Sequence, residues 1–404
     1  MMQNFIYRVL ERRHFWRYAS FSEVAELYTA RTLRVIAIYM AAGFASVYLY
    51  QQGYSLAFIM MAWALYYSLK IPLSFFSAFF AAKFGPKHGI LASNIFYIPA
   101  MIALGFVPEI GFFGVVIWGV FMAISASLYQ ICFSIDFSKV KNLEHAGKEI
   151  GFMNILEKIA VGISPIFGGL IALWFGAPVV MWVAAVFCVF AAVPLLRTAE
   201  QTHTHQKIKF RGFPWRMAIR SLVSEIGIGF DVVATATVWG LFLAVNIFPG
   251  AGNDLYVKLG ALSSVMILAA IATSYTYGKI IDRKQGGTLL KVSVVMNALV
   301  HISRSFVTTP AAVVGTNVTN EVATTGITMA YTRGLFDTAD LSGHRIVYLS
   351  VIDVFANLGA ILACAVALIC ITLFGDGEGM RVFYLLTGGF VLLSGTAKFP
   401  LYRK

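Results

Sequence analysis

The sequence predicts an all-α polytopic membrane protein of twelve spans in two halves, and three observations carry that reading. Hydrophobic residues make up 59% of the chain and charged ones 12%, against about a quarter in soluble domains, and mean hydropathy is +0.78. The apolar residues fall in runs long enough to cross hydrocarbon, about 20 residues each, so 404 residues hold roughly a dozen spans and no sizeable extramembrane domain. One long polar stretch, 197–217, divides the chain near its middle.

The elements follow in order. The arm 1–30 alternates Phe5, Ile6, Val9 and Leu10 with Arg8, Glu11, Arg12 and Arg13, the pattern of an interfacial helix with Trp16 at headgroup depth rather than of a cleaved signal. Apolar cores at 31–50, 55–82, 89–107, 111–135, 151–175 and 178–196 form a first bundle over 31–196. In the linker 197–217, His203 and His205 stand among Lys207, Lys209 and Arg211, which reads as a solvated connector and not a metal site. A second bundle, 218–404, holds cores at 218–247, 255–281, 288–307, 311–332, 345–374 and 381–400. The shortest separations, 175–178 and 308–310, are the places where neighbouring spans are hardest to tell apart. Cys132, Cys188, Cys364 and Cys370 lie inside apolar runs without metal-ligand spacing and read as small buried hydrophobes. The sequon at Asn317 is discounted because it too lies inside a span.

Charge sets the orientation. The surplus of 31 Lys and Arg over 19 Asp and Glu gives +12, placed between apolar runs and not on a basic face, which excludes a nucleic-acid reader. Basic connections alternate with connections whose basic residues are almost only Lys258 and Arg381, so both termini are expected to be cytoplasmic, in a bacterial plasma membrane.

The halves repeat. Lys83, Gly85, Lys87 and Gly89 mark the turn after the second span; Gly278, Asp282, Arg283, Gly286 and Gly287 mark the turn after the eighth. Glu157 and Asp353 each place an acid early in the fifth span of a half, and each of those spans ends at Phe-Gly, 175–176 and 374–375. Together these features resemble the major facilitator superfamily of secondary transporters, whose loop motif of Gly, then Asp-Arg, then Gly is matched by Gly278, Asp282, Arg283 and Gly286 or Gly287. The first-half copy departs from it, with Ala82 and Lys83 where Asp and Arg would fall. The resemblance implies two six-helix bundles, with the first, fourth, seventh and tenth spans lining a central path.

Ionisable groups at membrane depth tend to face a cavity or a partner. Counting along the helices puts Lys70, Asp231 and Glu321 near mid-depth, as candidates for substrate binding and proton coupling. Asn317, Glu321, Thr324 and Thr328 form one stripe on the tenth span, with Asn320 beside it. Arg31 and Arg34 are expected either as counter-ions to Glu225 or Asp231 or as snorkelling interfacial residues, whereas His301 and Arg304 are expected to be structural, with Arg304 reaching outward. Under the resemblance, the fifth span abuts the eighth and the eleventh abuts the second, so Glu157 would meet Arg283 and Asp353 would meet Lys83, with Gly278 and Asp282 completing a cytoplasmic gate. Gly162, Ser164, Pro165, Gly168 and Gly169 permit close helix approach or a bend.

The expected function is secondary active transport of a small polar solute by alternating access, with the proton as coupling ion and no other cofactor. The protein is expected to work as a monomer in the bilayer. A lipid, amphiphile or drug exporter on the same fold and a non-transporting receptor or scaffold are the alternatives. No zinc motif, nucleophile with its base, or phosphate-binding loop points to an enzyme.

Overall fold

Apolar runs bounded by glycine and proline become helices in the computed structural model, which describes residues 21–140, 146–196, 208 and 210–402. The expected interfacial helix up to residue 20 and the linker histidines lie outside the described residues. The described residues form twelve long helical runs, of which the first half holds α1 (21–51, with a 3-10 turn at Ala42–Phe44), α2 (Leu56–Phe84), α3 (Pro86–Gly105), α4 (Phe112–Val140), α5 (Ala146–Phe175) and α6 (Ala177–Leu196). The second half holds α7 (Trp215–Ile247), α8 (Asp254–Asp282), α9 (Gly286–Arg304), α10 (Pro310–Leu341), α11 (Arg345–Phe374) and α12 (Asp376–Val391, prolonged by a 3-10 turn Leu392–Thr396). The described residues contain no strand.

Ten of these runs are long and apolar enough to cross a membrane, against the twelve expected from sequence. The other two are α10, diluted by Asn317, Asn320, Glu321 and its threonines, and α12, whose regular part is only 16 residues long. The expected start of the twelfth span at 381 is also corrected: the helix begins at Asp376, directly after Gly375 at φ 81°. Gly176, at φ 86°, makes the matching break after α5, a backbone conformation that costs glycine little and other residues more.

The two halves meet along two seams, α2 against α11 and α5 against α8. Small residues make the second seam possible. A Cβ on Gly260 would lie 2.5 Å from the Pro165 carbonyl oxygen and one on Gly169 would lie 2.7 Å from that of Tyr256, so backbones touch there. Inside the second half, α7 and α11 approach in the same way, with a Cβ on Gly229 only 1.8 Å from the Ala356 carbonyl oxygen.

The buried apolar side chains form two cores, one toward the basic ends of the helices and one toward the charge-poor ends. Single helices cross from one to the other. The change falls between Ala30 and Ala37 on α1, Tyr67 and Ala78 on α2, Ile90 and Tyr97 on α3, Ala123 and Ile131 on α4, Val313 and Ile327 on α10, and Ile352 and Ala360 on α11. Between the cores lies a layer of polar side chains at mid-depth.

Candidate functional site

The mid-depth layer centres on α5. Glu157 and Lys158 are successive residues there, so the helix turns their side chains roughly 100° apart. Glu157 stays in its own half, where Arg31 of α1 grips it at 2.6 and 3.2 Å while also donating to the Tyr129 hydroxyl and lying 4.0 Å above the Phe133 ring. Lys158 crosses the seam to Glu321 of α10, at 2.8 Å. Other polar contacts at this depth also cross between the halves: Asn154 donates to Ser274 at 2.8 Å, and Ser74 of α2 donates to Asp353 of α11 at 2.5 Å, with Asn357 as a second donor to that carboxylate.

These contacts correct the expected gate. Glu157 does not meet Arg283, because α5 starts at Ala146 and not at 151, which places the acid deep in the helix beside Arg31. Asp353 does not meet Lys83 either; Ser74 reaches it, about two and a half turns deeper on the same helix as Lys83. Lys83 is exposed, with its ammonium 5.2 Å from the Phe84 ring, and Arg283 is exposed at the end of α8. Gly278 is buried near that end, Asp282 is its last residue, and Gly286 opens α9 so close to the Tyr402 ring that a Cβ would lie 2.3 Å from it.

Arg34 is 2% exposed and meets neither Glu225 nor Asp231. Its guanidinium donates to Asn94 at 2.5 Å, to Ser93 at 3.2 Å and to Ser125 at 2.9 Å, and lies 4.2 Å from the Tyr129 ring centre. Lys70 points to the same layer from α2, with Tyr66 and Tyr67 at 5.8 and 5.7 Å from its ammonium. Ring contacts at that range are worth about 0.5–1 kcal/mol, well short of the roughly 2.5–3.5 kcal/mol that a buried lysine costs in a membrane.

The second half carries its own network, and α9 enters it from the buried side and not from the surface. His301 and Arg304 are 0% and 1% exposed, so Arg304 does not snorkel. Arg304 stacks 4.4 Å from the Trp239 ring and faces His301 Nδ1 at 3.5 Å; His301 Nε2 meets Asp231 Oδ1 at 2.6 Å. Since arginine can only donate, the imidazole proton belongs on Nε2, toward Asp231, and the ring bridges a cation to a carboxylate. Thr235 also donates to Asp231, from a π-helical segment, Val233–Val238, that widens α7 beside the acid. Trp239 donates to Asn317 at 2.8 Å, and Thr324 donates to the Asn320 carbonyl at 2.8 Å. Thr328, the last of the expected stripe, is exposed. Lys70, Asp231 and Glu321 therefore share a depth but not a contact.

A cavity of about 420 Å³ opens between the halves at their charge-poor ends, lined by Tyr50, Gln51 and Tyr54 on one side and Ala244, Ala251 and Leu255 on the other. Gln51 donates across it to the Gly252 carbonyl at 3.0 Å. Among the described residues no group of His, Cys, Asp and Glu is placed to hold a metal.

Residues 27–339 match the family description Major Facilitator Superfamily. The chain belongs to the major facilitator superfamily. Solved structures of this superfamily fold are similar to it throughout. The fucose:proton symporter FucP of E. coli superposes with a TM-score of 0.63 at 13% identity, covering 93% of this chain and 98% of the symporter. The human organic anion transporter MFSD10 superposes at 0.68 with 9% identity, covering 93% and 100%. FucP in the outward conformation gives 0.59 at 11% identity, covering 92% and 100%. No curated protein matches the sequence. As a member of this superfamily with ten strongly apolar spans, the chain is an integral membrane protein.

Sequence reasoning missed Lys158, although an adjacent Glu-Lys pair inside an apolar run was visible. Such a pair forces two charges onto different faces of one membrane helix, which signals that both faces meet protein.

Proposed function

We propose that this protein is a secondary active transporter that carries a small polar solute across a bacterial plasma membrane by alternating access, coupled to proton movement at Glu321 and Asp231. The observation that carries the reading is the Lys158–Glu321 pair, at mid-depth and across the seam between halves. A bundle built only for stability has little use for an ion pair there, because desolvating two charges offsets much of their attraction. Protonating Glu321 removes that attraction and frees the halves to separate, so proton binding and rocking become linked. Asp231, partly accessible and tied through His301 to Arg304, offers a second carboxylate whose charge is balanced within one half.

The test is uptake into proteoliposomes of labelled sugars, amino acids and monocarboxylates under an imposed pH gradient. Wild-type protein is expected to concentrate at least one solute. Glu321→Gln is expected to abolish gradient-driven accumulation while leaving solute exchange, since exchange needs no net proton movement. Undiminished accumulation in Glu321→Gln and in Asp231→Asn would exclude the coupling assignment.

A further inference from the structure

Among the described residues, the charges of the mid-depth layer do not cancel locally. Arg31 has Glu157, Lys158 has Glu321, and Arg304 has Asp231 through the His301 ring. Asp353 is held by neutral donors, Ser74 and Asn357. Two cations have no carboxylate in contact, Arg34 and Lys70. Arg34 is sealed, and oxygens of α3 and α4 accept from both of its terminal nitrogens.

Lys70 differs. Met61, Leu65, Phe76 and Phe79, all more than half exposed, mark the lipid face of α2, and at roughly 100° per residue Lys70 falls on the opposite face. Its neighbours on that inner face, Tyr66, Tyr67, Ser74 and Ser77, are all buried, yet Lys70 keeps partial exposure. On that inner face Lys70 is thus more accessible than the residues above and below it. Trp63, Tyr66 and Tyr67 pack together beside it, with ring centres 4.9–5.9 Å apart and Tyr66 edge to face against both others, an apolar wall with phenol rims.

We propose that Lys70 is the anion-recognising group of the central path and that the solute is a small monocarboxylate with an apolar or aromatic body. The proposal rests on the transport reading above and names its substrate class. One accessible ammonium matches one carboxylate, and the aromatic wall matches the body attached to it. A second negative charge is disfavoured because Asp353 stands one helical turn away on the same seam, opposite Ser74.

The experiment is thermal unfolding of the purified full chain with benzoate, lactate, succinate, choline and galactose as probes. Benzoate or lactate is expected to raise the unfolding temperature saturably, while succinate, choline and galactose do not. Lys70→Gln should weaken the monocarboxylate response by about tenfold or more, as expected for losing a charged hydrogen-bond partner, and Lys70→Arg should retain it. If Lys70→Gln does not fold, Asp353→Asn decides: with the opposing charge gone, succinate should now stabilise the protein. Absence of any benzoate or lactate response in wild type, or an undiminished response in a folded Lys70→Gln, overturns the proposal. Exchange of galactose without a benzoate or lactate response would sink this inference and leave transport standing. A benzoate response that depends on Lys70, with no solute ever crossing the bilayer, would keep the site and sink the transport reading.

Discussion

Glu157 and Lys158 show how adjacent residues can serve opposite halves of one molecule. Neutralising one member of the Lys158–Glu321 pair leaves the other partly buried without its partner, a loss of about 1–3 kcal/mol. Lys158→Met and Glu321→Gln are each expected to lower the unfolding temperature, and the double variant to regain part of the loss; strictly additive losses would mean that the pair is not coupled. Arg34→Lys is expected to destabilise despite keeping the charge, because one ammonium cannot serve Ser93, Asn94 and Ser125 in fork geometry; wild-type stability in that variant would count against the cage. At this scale the depth of Lys70, Asp231 and Glu321 was legible, since a charge inside an apolar run is conspicuous. Their partners were not. Glu157 was placed too shallow because polar residues at 146–150 hid the first turns of α5, and His301 was undervalued because nothing in one sequence ties it to Asp231.

At the scale of helices, small residues decide which contacts can slide and which cannot. Gly260 and Gly169 bring α5 and α8 together across the seam, whereas Gly229 and Gly359 lock α7 to α11 within one half. Gly260→Val is therefore expected to fold but to wedge the seam and block solute exchange, and Gly229→Val to prevent recovery of folded protein, readable by size-exclusion chromatography and helical circular dichroism. Equal behaviour of the two variants would contradict the distinction between a moving seam and a fixed one. Helix ends at Phe175 and Phe374 were legible because Gly176 and Gly375 supply the left-handed break. The polarity of α10 keeps it out of the ten strongly apolar spans and at the same time marks it as the helix that contributes Glu321.

Over the whole molecule, two apolar cores hold the ends of the bundle and leave a polar layer between them. The halves touch at both ends, through Gln51 and Gly252 at the charge-poor side and through Phe137 and Phe336, with ring centres 5.6 Å apart, at the basic side. The all-α superfamily fold was readable from composition and glycine placement; the layering was not, because it depends on which buried faces meet. Alternating access requires that the two ends open in turn. The most direct test is the distance distribution between spin labels at Gln51→Cys and Gly252→Cys, and separately at Phe137→Cys and Phe336→Cys, in a background without the four buried native cysteines. Lowering pH, or introducing Glu321→Gln, is expected to lengthen one distance while the other stays short, with the populations exchanging between ends. A single unchanged distribution at both ends under every condition, or lengthening at both ends together, would contradict the rocking mechanism.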